Sequence, residues 1–319
     1  LDPSAISGRS AATFEADAAA RGAEWAVRAA VFRAEALYLG SVGATGRLNA
    51  ALAALEAAEA TLRRVELRVS EGSLTDADAM QARAAVQAGR TRAIEAERSL
   101  ADTRERLAVA LGWAPGRIPV PTDTAFTEAD ARIRDPGRRP DLEASALGAR
   151  AAEERAREAS LSRLPTVRGF ARLESHAPSA TSDWRSDWTA GFVVSVPLFT
   201  GFEVTARERA ATAVAEASRL EHELSLRQAR ADVAAATRGL DAARQGVRAA
   251  DAAWAAAEEA ARLMRLRFDE GLITTAELLS TEAIEADLRT AAVDARLGLR
   301  LASARLAFLT QTTTQDLER

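Results

Sequence analysis

The side chains best suited to catalysis in this sequence are two histidines, His176 and His222, and their placement argues against it. One falls in a polar stretch between two alternating segments, the other inside a helical pattern, and they lack the i, i+4 spacing with which a helix offers paired imidazoles to a metal. Both are expected at the surface. There is no cysteine, which removes thiolate ligation, thiol nucleophiles and disulfide staples together. Gly201-Phe-Glu is not followed by the Gly-Lys-Ser/Thr of a phosphate loop. The carboxylates are spread along helix faces, many one turn from an arginine, as in Glu24/Arg28, Glu59/Arg63 and Glu153/Arg157, the usual pattern of a solvated face. No catalytic set, cofactor or metal site is expected, and the chain reads as a non-enzyme.

The residues carry a repeat instead. Leu67-Arg-Val-Ser-Glu-Gly-Ser-Leu-Thr-Asp-Ala77 lies over Leu266-Arg-Phe-Asp-Glu-Gly-Leu-Ile-Thr-Thr-Ala276 at an offset of 199, with six of eleven residues identical. The offset persists outside the match: Leu48, Leu55, Leu62 and Val69 step by seven and fall on Val247, Trp254, Ala261 and Phe268. Self-similarity over such a distance defines an architecture. Each copy reads as a long helix, a glycine turn and a returning helix. Gly72 and Gly271 are the turn residues, since a reversal needs positive φ and glycine adopts it without a clash. Arg68 and Arg267 precede the turns identically, where a cation complements the helix dipole.

Composition sets the style of packing. The apolar share is 48%, mostly alanine, and aromatic residues make up only 5%. Alanine-rich helices interleaved with arginine and glutamate pack closely and offer little bulky core, which suggests thin walls rather than a globule. A net charge of −4, with arginines interspersed among acids, gives no reason to expect nucleic acid. No apolar run reaches the ~18 residues of a transmembrane helix, and no secretory signal is read. Leu1-Asp-Pro-Ser-Ala-Ile-Ser is a lead-in to a helix, so a segment is expected to precede it.

Along the chain, a helix is expected from about 11 to 71, another from about 76 to 111 ending at Gly112-Trp-Ala-Pro-Gly, and a connector over 113–140 that holds five of the nine prolines. Arg139-Pro-Asp-Leu opens a third helix with proline near its N-terminus, ending before Leu164-Pro165. The period then becomes two. Val167, Gly169, Ala171 and Leu173 alternate with Arg168, Phe170 and Arg172, and Trp188, Ala190, Phe192, Val194 and Val196 share one face of a second strand. Residues 175–187 read as the loop between them. Each strand has the ~9–11 residues of a tilted membrane strand, and Trp184 and Trp188 fall where an interfacial aromatic girdle lies; a soluble hairpin is the alternative. The second long helix is expected over about 203–270 and its return over about 276–310. The domains so drawn are 1–112, a first helical hairpin; 113–163, a connector and helix; 164–200, a β-hairpin; and 201–319, a second helical hairpin.

Val196-Pro-Leu-Phe-Thr-Gly201 entering a long helix, Arg-Phe-Asp-Glu-Gly271 followed by Ala-Glu-Leu-Leu279, and Arg-Pro-Asp-Leu142 leading to Leu164-Pro together resemble the TolC-type outer membrane factor family of Gram-negative efflux and secretion channels. The likeness spans the chain. It implies a mainly α fold with a small β part: two long antiparallel helical hairpins forming a trimeric α-barrel in the periplasm, plus a β-hairpin contributing to an outer-membrane β-barrel. It further implies a homotrimer in outer-membrane lipid, a passive exit duct that works with a periplasmic adaptor protein and an inner-membrane pump and is gated at the helical tips. By this likeness the turns at Arg68, Gly72, Arg267 and Gly271 meet the adaptor. Glu277 matches an acidic position facing the pore, with Asp78 its counterpart; three copies of Glu277 would repel one another, favour cations and raise at least one carboxyl pKa. The family's four strands per protomer imply two more ahead of Leu1, because two per protomer leave the barrel's edges unpaired in lipid. The alternative from another class is a structural or periplasmic adaptor coiled coil, which usually carries one hairpin with strand-rich domains; a cytoskeletal rod would leave the alternating segment unexplained.

Overall fold

The computed structural model describes residues 2–114, 139–176 and 185–310. Its elements in chain order are α1 (Pro3–Ser70), α2 (Asp76–Leu111), α3 (Pro140–Leu161), β1 (Thr166–His176), β2 (Arg185–Ser195), α4 (Glu203–Asp269) and α5 (Thr275–Thr310). The chain is mainly α with a small antiparallel β-hairpin, as the sequence implies. It divides into two compact units, Leu1–Val27 with Asp135–Arg230, and Arg28–Arg134 with Ala231–Arg319. Among the described residues no helix is long and apolar enough to cross a membrane.

In the first unit α1 begins earlier than its hydrophobic pattern announces. Pro3 takes the first helical position, and an Asp2 carboxylate oxygen accepts the Ser4 N–H at 3.0 Å, so a capping residue sets the start. The Arg-Pro-Asp-Leu motif organises the start of α3 in the same local way. Arg139 forks onto Asp141 at 3.1 and 2.7 Å and lies 4.8 Å over the Trp25 ring, which buries a charge by pairing and stacking it. His222, expected at the surface, is half-buried on α4 with its Nδ1 2.8 Å from the Ser145 hydroxyl of α3. Helical periodicity alone does not reveal which helix covers a polar side chain.

The β-hairpin is longer than its alternation suggests. Ser175, His176 and Arg185–Asp187, read from their polarity as loop, continue the ladder, because backbone pairing does not require apolar side chains. Opposed residues share a face, and the register sets Val167, Gly169, Ala171 and Leu173 against Val194, Phe192, Ala190 and Trp188. The two apolar faces read from the strands are therefore one face. The aromatics interlock with glycines on both sides: a Cβ on Gly169 would meet the Phe192 ring at 3.4 Å, and one on Gly191 would meet the Phe170 ring at 3.0 Å.

The second unit packs long helices through small residues. Alanine is the commonest buried side chain among the described residues, and a Cβ on Gly43 of α1 would fall 2.5 Å from Leu297 of α5, so that side chain fills the space beside the bare backbone. Larger side chains gather in two places. Val233, Leu240, Leu299, Leu306 and Leu309 join α4 to α5, with Phe32 stacked on Phe308 at 4.8 Å nearby. Val65, Ala79, Ala82, Phe268 and Leu278 join all four helices beside the two turns.

Candidate functional site

The two helix reversals close with the same pair of backbone bonds. Gly72 and Gly271 have φ of 76° and 75°. In the first turn Gly72 N–H donates to Val69 O at 3.0 Å and Ser73 N–H to Arg68 O at 2.9 Å; in the second Gly271 N–H donates to Phe268 O at 2.9 Å and Leu272 N–H to Arg267 O at 2.9 Å. Each pair of bonds is a Schellman closure, with glycine at the left-handed position. The helices leaving the turns are capped alike as well. Asp78 N–H donates to the Thr75 hydroxyl at 3.3 Å and Thr75 N–H returns to the Asp78 carboxylate at 3.0 Å. Glu277 N–H donates to Thr274 at 3.3 Å and Thr274 N–H to the Glu277 carboxylate at 2.8 Å. These are reciprocal capping boxes at positions 199 residues apart.

This capping fixes the local electrostatics of the two acidic candidates. In the single chain Glu277 is held below the ordinary glutamate range, first by the Thr274 amide and then by its hydroxyl. Asp78 is held low by the Thr75 hydroxyl and amide. At the helix starts Glu277 is exposed and Asp78 half-buried.

The arginines differ where the turns agree. Arg68 reaches from the end of α1 to the end of α4, where Nη1 donates to Phe268 O at 2.5 Å, Nη2 donates to Asp269 O, and the guanidinium lies 4.7 Å over the Phe268 ring. One cation thus caps a helix C-terminus and covers its last buried aromatic. Arg267 is exposed and has no polar side-chain partner among the described residues.

Two further contacts at this end escaped the sequence reading. Glu282 of α5, with its side chain 10% exposed, accepts from the fully buried Thr61 hydroxyl of α1 at 3.1 and 3.0 Å and from Arg265 of α4 at 3.3 Å. Burial raises its carboxyl pKa, against the opposing pull of Thr61 and Arg265. In the first hairpin Arg83 donates to Glu66 at 3.1 and 2.8 Å. Glu66 and Arg83 are the 199-residue counterparts of Arg265 and Glu282, so each hairpin clasps its two helices with an ion pair of opposite polarity. The offset of 199 carries the signal, but as exchanged charges rather than as identical residues.

At the β-hairpin, Trp188 is 76% exposed opposite Leu173, and Phe192 is 83% exposed beside Val194, so the apolar face has no cover among the described residues. Trp184 lies outside the described residues. A groove of ≈ 550 Å³ in the first unit, lined by Ala18, Ala151, Ala152 and Val214 with the Glu15–Arg155 ion pair at its side, lacks the convergent polar groups of a ligand pocket. Among the described residues no group of His, Cys, Asp or Glu could hold a metal.

The family described as outer membrane efflux protein matches residues 137–311. Solved structures of similar fold include a membrane protein from Pseudomonas aeruginosa (21% identity, TM-score 0.88, 97% of this chain and 75% of that one). The outer membrane protein VceC from Vibrio cholerae is similar at 21% identity and TM-score 0.86, over 94% of this chain and 74% of that one. The outer-membrane channel OprN has 21% identity and a TM-score of 0.90, over 98% and 73%. No curated protein matches the chain.

Proposed function

The chain belongs to the outer membrane efflux protein family, whose members are channel proteins and not enzymes, and on that premise we propose that it is the exit duct of a tripartite efflux or type I secretion system. The observation that carries this reading is the joining, in one chain, of a duplicated helical hairpin with a β-hairpin that gathers Leu173, Trp188, Phe192 and Val194 on one exposed face. Such a face suits lipid, and alanine-lined helices suit a wall formed with sister copies.

In this reading three copies assemble in the outer membrane of a Gram-negative bacterium. Residues 164–200 contribute to a shared β-barrel, while the repeats 1–112 and 201–319, with the connector and helix of 113–163, extend into the periplasm as an α-barrel. Trp184 and Trp188 lie at the membrane interface. Solute passes down its gradient without chemistry. The turns around Arg68, Gly72, Arg267 and Gly271 meet a periplasmic adaptor that links the duct to an inner-membrane pump, and movement of these tips gates the passage. Glu277, with Asp78 as its counterpart, lines the constriction; its capping bonds leave a charged carboxylate in the single chain, and three such charges brought together would select cations.

Planar-bilayer recording of the purified protein tests this. Trimers that conduct, with cation selectivity reduced by Glu277→Gln, are expected. Protein that stays monomeric and electrically silent would overturn the duct reading, and unchanged selectivity in the variant would overturn the role of Glu277.

A further inference from the structure

We propose that Arg267 binds a second copy of this chain, capping the C-terminus of that copy's α1 through Val69 O and Ser70 O. The repeat supplies the argument. Arg68 donates to the carbonyls of Phe268 and Asp269, and those residues are the 199-residue counterparts of Val69 and Ser70. Arg267 is the counterpart of Arg68. Both turns have the same closing bonds and left-handed glycines, so each helix end presents its carbonyls in the same way. The bond from the first hairpin to the second is made within the chain. Its image, from the second hairpin to a first hairpin, is not made, and Arg267 is left exposed.

A second observation, away from the turns, points to the same neighbour. Within the chain Val293 of α5 packs against Gly46 of α1, where an added Cβ would lie 2.8 Å from it. The counterparts of those residues are Ile94 of α2 and Gln245 of α4. Ile94 is 60% exposed and Gln245 is exposed, so the image of the α1–α5 contact, an α4–α2 contact, is also unmade within one chain. A donor on one copy and an acceptor on the next make a head-to-tail contact, which closes into a ring when the rotation between neighbours closes. Arg267 supplies the junction between copies that Arg68 supplies within each.

The inference rests on the reading that copies of this chain assemble around an axis, and the test separates the two. The absence of cysteine does not matter to it, because benzoylphenylalanine placed at position 267 in the intact, detergent-purified protein crosslinks on illumination. A covalent dimer is expected whose crosslinked peptide contains Val69 and Ser70, while the probe at position 68 gives a product of monomer mass joined to the Phe268–Asp269 peptide. Oligomers intact by native mass spectrometry, with the position-267 probe joined elsewhere or to nothing, would overturn the Arg267 contact and leave the assembly standing. A purified protein of single-chain mass would overturn both.

Discussion

The hydroxyl of Thr61 donates to the carboxylate of Glu282, with both carboxylate oxygens within 3.1 Å, and this bond ties α1 of the first hairpin to α5 of the second. Neither residue is exposed, so the bond forms where water cannot replace it, and an unmet partner would carry a desolvation cost of about 1–3 kcal/mol.

Glu282 sets one pH dependence. Burial raises its carboxyl above the ordinary 4.5. The folded chain then binds the proton more tightly than the unfolded chain, so the associated stability is complete below 4.5 and is lost as pH rises through the raised value. Glu282→Gln keeps an acceptor for Thr61 and removes the titration. Melting of the helices followed by circular dichroism should show the variant gaining on the parent as pH rises from acid to neutral. Parallel pH profiles would contradict this.

Arg68→Ala removes both the cap on α4 and the cover over Phe268. A loss of about 1–2 kcal/mol is expected, concentrated at the second turn. Hydrogen exchange at Gly271 and Leu272 should accelerate more than at Gly72 and Ser73. Arg68→Lys should recover only part, because an ammonium cannot fork onto two carbonyls and stack on a ring together.

Gly72→Ala and Gly271→Ala force a side chain into the left-handed region. Nothing lies within 4 Å of an added Cβ at either position, so backbone strain is the only local penalty, about 1–2 kcal/mol, and should be nearly equal in the two turns. Denaturant titration measures it, and clearly unequal losses would show that the turns are not equivalent.

Phe192→Arg puts a charge on the uncovered apolar face of the β-hairpin, whereas Thr189→Arg adds the same charge to the opposite face. If the first face meets lipid, Phe192→Arg should cost up to about 2–4 kcal/mol at mid-membrane depth and reduce assembly into vesicles, measured as the protease-protected fraction. Thr189→Arg should assemble nearly as the parent does. Equal behaviour would argue that the face does not meet lipid.

Much of the architecture was legible because local rules govern it. Gly72 turns the chain and Gly112-Trp-Ala-Pro-Gly stops the returning helix, so α2 is read from the sequence with the bounds it has in the structure. Polar strand ends were read as loop, because alternation reports side-chain burial and not ladder bonds. The ion pairs Glu66–Arg83 and Arg265–Glu282 stayed hidden because residues 17 apart meet only once a turn has folded one helix back on the other.

By itself the sequence determined the duplication, the helices, the reversals and the apolar stripe of the β-hairpin, all consequences of residue spacing and backbone preference. Only the tertiary structure decided which of two equivalent arginines would find its helix end within the chain. Arg68 and Arg267 have the same local signals. Their difference arises because a helix in one hairpin can present a given face to the other hairpin only once, so one cap is filled internally and the other is left open at the edge.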